Sequence, residues 1–141
     1  MAVSVIGTAA AKCSISFGDA FIKGILCNFM VCIAVWIALA AKDVVGKIAG
    51  LFFPIAIFVI CGFEHSVANM YYIGAGIFAK SVPEYAQAAS EAGIDMSAIT
   101  WGNFLGTNLL PVTMGNIAGG AVCVGCVSWY LYLKKSKKSE T

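Results

Sequence analysis

Two charge-free apolar runs meet at one short polar stretch, and no other feature constrains the fold as much. Residues 48–63 (IAGLFFPIAIFVICGF) and 67–79 (VANMYYIGAGIFA) flank Glu64, His65 and Ser66. Wound as one straight helix, residues 48–79 would reach about 48 Å, against about 30 Å of bilayer hydrocarbon. The stretch is therefore either a strongly tilted helix or two half-helices meeting at a break. Pro54, Gly62, Gly74 and Gly76 favour the break, placed near 62–66. The only histidine of the chain stands there, and an ionisable side chain inside a bilayer is costly enough to mark a functional site.

The rest of the chain has the composition such a reading needs. With 60% hydrophobic and 11% charged residues, 141 residues cannot hide their apolar surface as a soluble domain. The fold class expected is all-α integral membrane, with three transmembrane elements of which the middle one is broken. The spans are placed at about 12–41, 48–79 and 103–133. Residues 1–11 are read as the end of a preceding helix or its connection, since they lack the basic start of a signal peptide. Between the second and third spans, residues 83–92 are expected to form a short interfacial helix, with Trp101 as a headgroup anchor. Lys23, four residues after Asp19, is read as snorkelling to the interface.

Orientation follows from the lysines. Four of the nine lie in the tail 134–141 and two in the loop 42–47, whereas residues 80–102 are net acidic. The tail and the first loop are expected to be cytoplasmic, with residues 80–102 and Lys12 outside. Gly115-x-x-x-Gly119 with Gly120, and Gly46-x-x-x-Gly50, are read as small-residue seams for close helix packing. Six cysteines stand at 13, 27, 32, 61, 123 and 126, all but the first in apolar runs. They are expected to be buried packing residues. A redox role for Cys123 and Cys126 stays as a competing hypothesis.

At the break, His65 is the candidate ligand-binding group. Asn69 follows one turn later with an amide donor, and a half-helix starting near Ser66 would present its positive dipole end. These features favour a small anion. Glu64 opposes one and is expected to be turned away, pinned by backbone donors, so that Gly62, Glu64 and Ser66 are structural. A single histidine cannot build a bis-histidine haem site, and Glu64 points elsewhere on a helix than a metal held by His65 requires. No cofactor or metal is expected, and no enzymatic activity. A membrane structural or assembly subunit, with His65 merely hydrogen-bonded in the interior, is the alternative to transport.

Three segments carry a resemblance. Gly62-Phe63-Glu64-His65-Ser66-Val67-Ala68-Asn69-Met70 resembles the signature of the formate/nitrite transporter family, as does Asn28-Phe29-Met30-Val31-Cys32-Ile33-Ala34-Val35-Trp36. The segment from Thr107 to Gly120 (TNLLPVTMGNIAGG) is similar to that family's last helix. The resemblance implies a six-helix, inverted-repeat, aquaporin-like channel protomer, assembled as a homopentamer in a bacterial plasma membrane. It implies passage of formate, nitrite or hydrosulfide. This chain resembles the second half, with His65 at the central pore position and Asn28 near it. Lys12 falls at the outer end of the fourth helix, Asn69 after the histidine, and Phe58 at a constriction. By the same resemblance the chain is expected to be a fragment that works only with a missing N-terminal half.

Overall fold

The computed structural model describes residues 1–133, and the basic tail assigned to the cytoplasm lies outside the described residues. Among these residues all regular structure is helical. Helix α1 spans Ala2–Cys13, α2 Phe17–Ala40, α3 Val44–Ile60, α4 Ser66–Lys80 and α5 Pro83–Glu91. A terminal helix follows over Asn103–Leu133. It is wound more widely than an α-helix over Asn103–Leu109, Ala118–Cys126 and Trp129–Leu133.

Among the described residues two helices are long and apolar enough to cross a membrane alone, α2 with 24 residues and the terminal helix with 31. The middle element is broken as expected. At 17 and 15 residues, α3 and α4 are about 25 Å and 22 Å long, each short of a full crossing. Pro54 sits inside α3 without ending it. The helix ends instead at Gly62, whose φ of 64° closes its last turn. Gly62 N–H donates to Val59 O and Phe63 N–H to Phe58 O, the paired bonds of a Schellman cap.

One expectation is settled and one corrected at the N-terminal end. Residues 2–13 are helical, as the end of a preceding helix would be, and the first span begins at Phe17 rather than near residue 12. The cause is Ser16, whose Oγ accepts from Asp19 N–H and donates to Asp19 Oδ2, fixing a new helix start. Lys12 therefore belongs to the last turn of α1 and not to the outer end of α2. The cysteines divide as well. Cys13 and Cys27 are buried, but Cys61, Cys123 and Cys126 are exposed on this chain and free, so burial does not describe them.

Glycines set how closely the helices approach. A Cβ on Gly115 or Gly119 would run into the α2 backbone at Phe21 O or Ile25 O. One on Gly76 would meet Ala9 of α1, and one on Gly50 would lie 2.7 Å from Ile37 Cγ2 of α2. The expected seam of Gly115, Gly119 and Gly120 is thus a real helix contact, whereas of Gly46 and Gly50 only Gly50 meets another helix. The core is divided, with Ile6 and Ala9 packed on Ala89 and Ile99, and Cys13 packed on Ile73 and Phe104. Lys80 Nζ donates to Met96 O and Ile99 O, tying the connection after α5 to the end of α4. Trp101 sits there, exposed, between Phe78 and Phe104.

Candidate functional site

The break between α3 and α4 is where the polar side chains of the interior gather. Glu64 N–H donates to Lys23 O at 3.4 Å, which sets the break level with the early part of α2. The Glu64 carboxylate receives Lys12 Nζ on both oxygens, at 3.0 and 2.9 Å. Asn69 Nδ2 donates to Glu64 Oε2 at 2.6 Å and to Asn108 Oδ1 at 2.8 Å. Asn108 Nδ2 returns to Lys12 O at 2.9 Å, closing the ring. Glu64, Asn69 and Asn108 are 5%, 1% and 0% exposed, so the closed cycle satisfies groups that would each be costly alone.

Glu64 was expected to be turned away and pinned by backbone donors; its carboxylate is buried, and its partners correct that expectation. An ammonium and a side-chain amide hold it, not backbone donors. Asn69 likewise has both amide hydrogens committed within the protein.

A second clamp lies on the other side of the break. Asn116 Nδ2 donates to Gly24 O and to Glu64 O, while its Oδ1 accepts from Ser66 N–H and Ser66 Oγ. Its backbone oxygen accepts from Asn28 Nδ2 at 2.6 Å. Asn28 is thereby fixed against the terminal helix, with its amide against Gly120. Neither Asn108 nor Asn116 was singled out by the sequence reading. Their signal was there, two asparagines eight residues apart in a charge-free helix, since an isolated amide in such a helix needs a partner.

His65 stands between the clamped residues as the N-cap of α4. Its Nδ1 accepts the Ala68 N–H at 3.3 Å, the contact of an N-cap side chain. The ring lines a cavity of about 430 Å³ with Thr8, Lys12, Phe58, Val59, Gly62, Phe63, Ala68, Asn69 and Tyr72. Phe58 packs by it with ring centroids 6.3 Å apart, and Lys12 Nζ lies 5.9 Å from the Tyr72 ring. His65, Lys12, Phe58 and Asn69 are therefore brought together on one cavity, whereas Asn28 joins through Asn116 and not through the cavity wall. A larger groove of about 560 Å³ runs along α3 between Ile48 and Ile60, with only apolar side chains. It has no chemistry to offer.

Apolar helices around a polar helix break, with a histidine facing a cavity there, mark a functional site inside a membrane protein. The chain belongs to the formate/nitrite transporter family, whose sequence model matches residues 1–130. It is 45% identical over 122 residues to the "Probable formate transporter" of Methanothermobacter thermautotrophicus, covering 86% of this chain and 38% of that protein. With the "Formate channel FocA" of Escherichia coli K12 it shares 40% over 136 residues, 95% of this chain and 48% of the other. Among solved structures, a "Pentameric formate channel with formate bound" superposes with a TM-score of 0.81 at 37% identity. That match covers 94% of this chain and 52% of the other. The chain thus spans about half or less of the length of the curated relatives it matches. The expected fold class holds: an all-α integral membrane architecture corresponding to part of a channel protomer.

Proposed function

We propose that this chain forms the broken-helix wall of a pore for a small monovalent anion, formate first, with nitrite or hydrosulfide as neighbouring substrates. The observation that carries the reading is His65, a ring on a cavity at the start of a 15-residue helix without acids in its first turn. Such a helix start favours negative charge, and the ring adds a donor to it. Hydrogen bonding or proton exchange at His65 eases the anion past Phe58, because an unsolvated ion in hydrocarbon is prohibitive. The names of the relatives, formate channels and a formate transporter, support this substrate class.

Lys12 contributes less attraction than a free lysine, since Glu64 neutralises it. The whole pore on this reading is a homopentamer in a bacterial plasma membrane, with the tail cytoplasmic. Each pore is completed by a segment that supplies its other wall, corresponding to the remaining half of the longer relatives. Asn28, Gly62, Glu64 and Ser66 shape the site without touching the anion. The closed Lys12–Glu64–Asn69–Asn108 cycle favours a second reading, in which the chain only supports a membrane assembly.

Anion flux into liposomes separates the two. The wild-type chain is compared with His65→Asn, alone and joined to the N-terminal half of the E. coli formate channel. Asparagine is itself a good N-cap, so this variant keeps the α4 start and loses only the ring. Flux lost with assembly unchanged is the expected result. Undiminished flux in the variant overturns the role of His65.

A further inference from the structure

The two possible actions of His65, donating a hydrogen bond and donating a proton, differ in what the ring must be beforehand. We propose that Asn116 is a positioning residue that locks His65 as the Nε2–H tautomer, a hydrogen-bond donor to the anion rather than an acid. The significance for transport rests on the reading of the pore above, while the tautomer itself does not.

Asn116 holds the residues on both sides of His65 at once. Its amide nitrogen binds Glu64 O at 3.0 Å, and its amide oxygen takes Ser66 N–H at 3.0 Å. A further bond to Gly24 O at 2.8 Å ties the same side chain to α2. With the backbone fixed before and after it, His65 has little freedom to move its Cβ, and its Nδ1 meets the Ala68 N–H. An acceptor nitrogen facing an N–H cannot carry a proton without breaking that bond. The remaining hydrogen of the neutral ring is on Nε2.

In this state, giving up that hydrogen would leave an imidazolate, which is not accessible in water-like conditions. Proton delivery requires an imidazolium first, and so the opening of the α4 cap. Hydrogen-bond donation requires nothing to open. The ring is thus prepared for donation, and a protonation step is coupled to the start of α4.

The chain contains one histidine, so ring-nitrogen spectra of a sample labelled with 15N-histidine report on His65 alone. In membranes at neutral pH the wild type should show the pattern of a single tautomer with unprotonated Nδ1. Asn116→Asp keeps the oxygen that receives Ser66 and loses the donors to Gly24 O and Glu64 O. It should show both tautomers and loss of the single pattern. Ser66→Ala, which removes one donor to Asn116 Oδ1 and leaves the backbone bond, should give a smaller admixture and serves if Asn116→Asp does not fold. A wild type with protonated Nδ1, or with both tautomers in exchange, overturns the proposal. So does an unchanged single pattern in the folded variants. Flux measured on His65→Asn tests the pore reading separately, so either idea fails without the other.

Discussion

The two halves of the broken element are held in different ways. Helix α4 buries Asn69, Ile73 and Gly76, its start is fixed by His65 and Asn116, and α1 lies along it. Helix α3 buries only Gly50 and Pro54, approaches α2 closely through one glycine, and leaves Phe52, Phe53, Val59 and Ile60 exposed. One half is anchored by polar groups with defined partners. The other offers an apolar face to whatever surrounds it. A channel wall built this way keeps its chemistry on the anchored half and leaves the other half free to seat against lipid or protein.

The largest effect should come from the anchored half. Glu64→Gln leaves the Lys12 ammonium without its counter-charge at a site where the lysine side chain is only 18% exposed. Breaking such a pair should cost about 3 kcal/mol. Denaturation of the purified chain in detergent measures it, and a loss under 1 kcal/mol would place the anchor elsewhere. Asn108→Ala should follow at about 2 kcal/mol, because Asn69 and Lys12 O each lose a buried partner.

Gly76→Val should cost about 1–3 kcal/mol by forcing Ala9 away, whereas Gly74→Val, with open space around it, should not. Equal losses for the two would remove the distinction between packed and unpacked faces of α4. On α3, Phe52→Ala should change stability by less than about 0.5 kcal/mol in this chain, since its side chain is largely exposed and its ring contact is with the adjacent Phe53. A large loss there would erase the contrast.

The smallest effect lies outside the membrane. Hydrogen bonds from the Ser97 backbone and side chain hold the Asp95 carboxyl below its ordinary value. The turn is therefore tightest above that ordinary value and loosens as pH falls through the depressed one. Amide exchange at Ser97 should accelerate only in strong acid.

Sequence reasoning reached the break because a glycine, an acid and a histidine between two apolar runs leave few alternatives. It placed the long apolar helices by length against hydrophobicity, with the first one begun too early, and it placed a short helix at the position of α5. It allowed a helix over residues 1–11 but ran the first span back to Lys12, although Ser16 and Asp19 are spaced as a helix start. The partners of Glu64 were out of reach. Lys12 lies 52 residues away along the chain, as Asn108 lies 39 from Asn69, and no local pattern joins them. The wider winding of the terminal helix had no sequence sign either.

The cycle through Lys12, Glu64, Asn69 and Asn108 also imposes an order on biosynthesis. Its first member, Lys12, emerges from the ribosome 96 residues before its last, Asn108. The salt pair is able to form once α4 has emerged, but Asn69 and the Lys12 carbonyl wait for Asn108. Until then the inserting segments carry unmatched amides into the bilayer. The terminal helix thus acts as the closing piece of membrane assembly, and a chain stopped before it would enter the membrane with its polar seam still open.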